Sequence, residues 1–214
     1  TPGAAGGQRI FGMMLIGNSL LGSGGSDFDQ GGVFPVAFDA TGTSTLTALA
    51  GTEEGRINQL VASADDQLYF GREFTGPSAE LVRYSLPGPG VATSVSGTGV
   101  FQAAHVLGAD GSLYSVNVNG ELIARATVDL AELWKLPNLG TNTGASPTLD
   151  CARSEDGTPR GANLPGVLYV AAGNKMHAFV VDSPRMPKEP NSWPKYQHDA
   201  HNTGNPATPI TNCP

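Results

Sequence analysis

Short apolar runs recur along the whole chain, and each is broken by Gly, Asp, Asn or Pro. Within several runs the side chains alternate, as in Leu81-Val82-Arg83-Tyr84 and Met176-His177-Ala178-Phe179. A period of two is the signature of a β-strand with one face turned to a core. The pattern therefore predicts many short strands joined by tight, Gly-rich turns.

The runs also repeat. The clearest anchor is Leu68-Tyr69-Phe70, then Leu113-Tyr114-Ser115, then Leu168-Tyr169-Val170, with a degraded copy at Leu20-Leu21. A turn signal precedes each anchor: Gly17-Asn18, Asp65-Asp66, Asp110-Gly111 and Pro165-Gly166. Before each turn lies another apolar strand, at Met13 to Ile16, Ile57 to Ser63, Phe101 to Leu107 and Ser146 to Cys151. A third strand follows each anchor, at Val33 to Asp39, Glu80 to Leu86, Glu121 to Val128 and Lys175 to Asp182. A weaker fourth closes each unit, at Thr43 to Leu49, Val91 to Ser96, Leu130 to Leu136 and near Trp193 to Tyr196. The anchors at Leu21, Tyr69, Tyr114 and Tyr169 are separated by 48, 45 and 55 residues, and the Gly-, Pro- and charge-rich stretch 153–165 accounts for the longest gap.

Four strands in such a unit make one blade of a β-propeller. A lone four-stranded sheet cannot bury both faces, whereas radial stacking buries them and leaves only short edges. A β-sandwich or β-helix would not need one strand-turn-strand motif at near-constant spacing. The fold class is thus all-β: a propeller of four-stranded antiparallel blades, with about four blades present as a partial propeller. The expected blades cover residues 8–50, 51–97, 98–140 and 141–188, and residues 189–214 form a Trp-Pro strand and tail closing on the last blade. An open arc leaves two apolar end faces to be covered. Candidates are a missing N-terminal part of the same precursor, a second copy, or an envelope protein.

Composition narrows the setting. Charged residues are only 14% of the 214 positions against 39% hydrophobic, the reverse of a disordered chain. The net charge is −7, and the 12 basic residues are scattered, so no nucleic-acid groove is expected. The longest apolar run, Ile10 to Ile16, is too short to span a bilayer. Cys151 and Cys213 are the two cysteines. In an oxidising compartment they most simply form one bridge, and two unrelated thiols are the alternative. The chain starts at Thr1 with no signal-peptide pattern, which suggests a mature form with an upstream segment removed. The absence of an Asn-x-Ser/Thr sequon fits a bacterial envelope: periplasmic, outer-membrane-associated or secreted.

The stretches Val106 to Ser115 and Gly166 to Phe179 resemble the blade of quinoprotein-dehydrogenase-like (PQQ-like repeat) propellers. That blade runs apolar strand, Asp-Gly turn, Leu-Tyr-Val strand, Gly or Asn turn, then a strand ending near Tyr-Ala-Leu-Asp. A second resemblance lies in Trp193-Pro194-Lys195-Tyr196-Gln197-His198-Asp199 with Thr203-Gly204, which is similar to a Trp-Pro…His-Asp…Thr-Gly signature flanking such propellers in bacterial envelope proteins. The resemblance implies a fold rather than an activity. The family's enzymes hold a quinone between a Trp and a disulfide of adjacent cysteines, beside Ca²⁺. Here the cysteines are far apart, and Trp134 and Trp193 are the only tryptophans, so neither quinone nor Ca²⁺ is carried over.

Other constellations have simpler readings. His198, Asp199 and His201 offer zinc-type donors, but they sit within the Trp-Pro signature and read as a hydrogen-bonded turn. Asp27-Phe28-Asp29-Gln30-Gly31 resembles the start of a Ca²⁺ loop without its closing Glu and reads as an acidic hairpin tip. Asp65-Asp66, Asp110-Gly111 and Asp156-Gly157 are turn chemistry. Gly22 to Gly25 reads as a hairpin turn. Trp193 and Tyr196 read as an anchor for the tail. No catalytic, cofactor-binding or metal-binding residue is assigned. The expected function is a non-catalytic extracytoplasmic scaffold for protein interaction or assembly. The alternative is the C-terminal part of a quinoprotein-type or carbohydrate-active propeller enzyme whose active residues lie upstream.

Overall fold

The structure is a computed structural model that describes residues 9–17, 19–27, 30–37, 40, 47–75, 78–86, 93–96, 99–141, 144–161, 163–199, 202–205, 207–210 and 213. Among these residues there are fourteen strands and no helix. The first sheet is β1 (Ile10–Ile16), β2 (Ser19–Asp27) and β3 (Gln30–Pro35). The second is β4 (Arg56–Ala62), β5 (Gln67–Glu73), β6 (Ala79–Ser85) and β7 (Thr93–Ser96). The third is β8 (Val106–Leu107), β9 (Ser112–Val116), β10 (Leu122–Ala126) and β11 (Glu132–Leu136). The fourth is β12 (Thr148–Asp150), β13 (Gly166–Ala172) and β14 (Lys175–Val181). All pairings are antiparallel and follow chain order.

Turn chemistry sets these hairpins. Gly111 (φ 83°) and Asn174 (φ 58°) occupy the left-handed region at the tips before β9 and between β13 and β14, a conformation that Gly and Asn adopt at least cost.

Strand alternation then builds three apolar layers. The first joins Met14, Ile16, Leu21 and Val33 of the first sheet to Leu60, Leu68, Phe70, Val82 and Tyr84 of the second. The second joins Val61, Tyr69 and Leu81 on the other face of that sheet to Leu107 and Leu113 of the third. The third joins Tyr114, Val116, Leu122 and Ala124 to Leu149, Leu168 and Val170 of the fourth. Adjacent residues in a strand thus serve different layers: Tyr69 points forward along the chain's order of sheets, while Leu68 and Phe70 point back. The same division holds for Tyr114 against Leu113.

Two expectations change. Gly22 to Gly25 is not a turn but the middle of β2. Its glycines admit close backbone approach: a Cβ at Gly24 would lie 1.9 Å from the Arg9 carbonyl oxygen. The Trp193–Tyr196 segment is not the fourth strand of the last sheet, which has three strands among the described residues. Trp193 pairs instead with Ala62 of β4. The reason is burial: the indole fills the first apolar layer, where it is 4% exposed. Part of the predicted fourth strand of the first unit, residues 43–46, lies outside the described residues, but the Leu49 amide donates to the Val33 carbonyl (2.7 Å) beside β3.

Candidate functional site

The C-terminal tail is a hydrogen-bonded knot laid across the first strands of two sheets. Ala62 and Trp193 exchange backbone hydrogen bonds (2.8 and 2.7 Å), and the Leu107 amide donates to the Pro194 carbonyl (2.8 Å). Lys195 is buried, and its ammonium donates to the carbonyls of Tyr196 (3.1 Å) and Asp199 (3.2 Å) and to Asn202 Oδ1 (2.6 Å). Three donors meet three acceptors, which is what a buried ammonium requires. Desolvation still lowers its pKa, and the Asp199 charge opposes that shift. The Asp199 carboxylate accepts from the Thr203 amide (3.3 Å) and the Thr203 hydroxyl. His198 packs edge-on against Trp193, with ring centroids 5.2 Å apart. Burial lowers its pKa, against the Asp199 carboxylate, whose Oδ2 lies 3.6 Å from Nδ1.

The knot explains the motif locally. Gln197, His198 and Asn202 all have positive φ (55°, 75° and 55°), so the chain is wound tightly around the Lys195 ammonium. His201 and Asp29 lie outside the described residues, and with them the His pair and the acidic loop weighed for metals. Trp193→Ala is expected to cost roughly 3 kcal/mol, the usual loss for a large buried aromatic. Urea denaturation measures it, and a loss under 1 kcal/mol would show that the indole does not hold the tail.

Cys151 and Cys213 are bridged, with Cα atoms 5.6 Å apart, within the span a disulfide needs. Asp150 lies beside the pair, but both sulfurs are covalently occupied. Its carboxylate takes Arg153 bidentately (2.7 and 3.0 Å). The cluster is therefore a staple rather than a metal centre. Such bridges persist in oxidising, extracytoplasmic compartments. The turn carboxylates are likewise engaged locally. Asp110 accepts from the Ser112 amide and hydroxyl (3.0 Å each). Asp156 accepts from the Ser154 hydroxyl (2.6 Å) and the Thr158 amide (3.0 Å), and the Ser154 bond leads in pushing its pKa down to about 2.

What stands out chemically is the forward face of the fourth sheet. Register pairs Val167 with Val180, Tyr169 with Ala178 and Ala171 with Met176, so these six side chains share one face. Tyr169, Met176 and Val180 are 39%, 70% and 78% exposed. The equivalent tyrosines are buried: Tyr69 is 2% and Tyr114 1% exposed. Desolvation pushes the Tyr114 phenol up to about 12. The backward face of the first sheet is also bare in part. Met13 pairs with Gly22 and Leu15 with Leu20, and Met13 is 62% exposed. A cleft of ≈ 550 Å³ lies there between β1 and the tail, with Met13, Leu15 and Leu20 on one wall and Tyr196, Gln197 and Asn202 on the other.

A repeat of this kind predicts two bare end faces without showing which residues lie on them. The signal was in β14: Met176, Ala178 and Val180 are apolar on one face, and Phe179 and Val181 on the other. A strand apolar on both sides expects cover on both sides.

No protein-family model matches the chain, and no curated protein matches it. Among solved structures, a gluconolactonase from Xanthomonas campestris is similar with a TM-score of 0.50 and 15% identity, over 82% of this chain and 61% of that one. AztD from Citrobacter koseri is similar at 0.49 and 10% identity, over 83% of this chain and 45% of that one. The first likeness shows the fold alone: the sheets are those of a β-propeller. The chain spans less than two thirds of the length of either structure.

Proposed function

We propose that this chain is a non-catalytic, extracytoplasmic propeller segment of the PQQ-like-repeat type, acting as a protein-interaction or assembly scaffold in the bacterial periplasm, at the outer membrane or outside the cell. The single observation that carries the reading is the exposed forward face of the fourth sheet. Contiguous exposed apolar surface marks interaction sites, and an aromatic with a polar tip beside flexible Met is suited to one. The frame behind that face is tied together by three packed layers, the tail knot and the disulfide. The Leu-Tyr strands and the Trp-Pro signature support the family reading, and the disulfide supports the compartment.

The test is a photo-crosslinking residue at position 180 in the native envelope. A discrete protein adduct, lost when Tyr169→Asp is added, is the expected result. No adduct from position 180, together with turnover of a small-molecule substrate by the purified chain, would overturn the scaffold reading.

A further inference from the structure

The three internal layers follow one rule. The forward face of each sheet, centred on the anchor position, packs on the backward face of the next. Leu21, Tyr69 and Tyr114 are the anchors of the first three sheets, and each is buried in the layer that follows it. The contact has a polar element too. The Tyr69 hydroxyl donates to the Thr127 carbonyl (3.4 Å), and Arg83 donates to the Val128 carbonyl (2.6 Å), both on the next sheet's turn after β10. The Tyr114 hydroxyl hydrogen-bonds the backbone of Ser183, after β14 of its own next sheet.

Tyr169 occupies the fourth anchor position, on a face built like the other three, yet no sheet follows it among the described residues. By the same rule, what fits this face is the backward face of a sheet of this repeat. One such face is partly bare: that of the first sheet, where Met13 is 62% exposed beside half-buried Leu20, while Leu15 packs against the first layer. The two ends do not cover each other within the chain, since Met13, Met176 and Val180 are all largely exposed.

We infer that this chain self-associates head to tail. The forward face of the fourth sheet in one copy packs on the backward face of the first sheet in a second copy, continuing the packing of the three internal layers across the interface. The contact is heterologous, so each copy offers one donor face and one acceptor face, and two copies close a ring if each arc spans half a turn. This inference rests on the scaffold reading and names its partner.

Sedimentation of the purified 214-residue chain tests it. The chain mass is 22.0 kDa, and the expected species is twice that. Val180→Asp blocks the donor face and Met13→Asp the acceptor face. Both positions are exposed, so neither change disturbs a core layer, and circular dichroism confirms the fold. Each variant alone is expected to be monomeric, with association weakened at least tenfold. Mixed together, they are expected to form a one-to-one dimer, because one intact donor face meets one intact acceptor face. A wild-type monomer at all concentrations overturns the inference. So does a Met13→Asp variant that still dimerises alone, which would mean like faces pairing. The scaffold reading fails separately: a monomeric chain whose position-180 crosslink captures a different protein loses the second copy but keeps the scaffold.

Discussion

Replacing both Cys151 and Cys213 by serine is expected to cost about 4 kcal/mol of stability. The bridge closes a loop across a sequence separation of 62, and the chain-entropy account gives roughly that value for a loop of this size. The loop contains β13, β14 and the whole tail, so its closure restrains the fourth sheet and the knot together. Native contacts add to this. Ile210 packs in the third layer, and the Lys188 ammonium donates to the Cys213 carbonyl; both contacts depend on the tail's end being held. For a chain of this length the loss corresponds to a fall in melting temperature of roughly 8–16 °C. Thermal denaturation with and without reductant provides the check. Reduced wild type and the double variant should melt together, well below the oxidised protein. Coincident melting of oxidised and reduced wild type would show that the staple restrains nothing.

The repeat made the architecture legible. The first three predicted strands of each unit recur in order, and in each unit they fall in one antiparallel sheet. Which sheet the tail would join was not legible. The Trp193 segment follows the last sheet in sequence, and proximity in sequence favours it there; the indole is drawn instead to a buried place beside Leu68 and Phe70, far away along the chain. The glycine run in β2 misled for a related reason. Gly22 to Gly25 has the composition of a turn, but here it answers a close approach of the Arg9 backbone, which no local pattern records. The buried polar groups were equally hidden. Lys195 looks like one more surface cation until the knot closes around it, and His105 looks like a lone histidine in an irregular stretch.

His105 should make the protein acid-labile well above the range where carboxylates titrate. The ring is 1% exposed, and neither nitrogen has a hydrogen-bond partner among the described residues. It packs edge-on to Phe101, with ring centroids 5.1 Å apart. An imidazolium in such a place is unsolvated, so burial drops its pKa from the ordinary 6.5 to about 3. Above pH 6.5 the ring is neutral in both folded and unfolded chains and contributes no pH dependence. As pH falls below 6.5 the unfolded chain takes up a proton that the folded one refuses. Stability is therefore lost at about 1.4 kcal/mol per pH unit, until the folded pKa is reached near pH 3. The total is on the order of 5 kcal/mol. His198, with its pKa also lowered by burial, acts in the same direction. His105→Leu removes the titrating group and replaces two orphaned nitrogens with apolar volume, so at pH 8 it should be no less stable than wild type. Urea denaturation at intervals from pH 8 to pH 4 should show the wild type losing stability faster, by about that slope per unit. Parallel pH profiles for the two proteins would mean that the folded state already accepts the proton, and that His105 is not sealed from water.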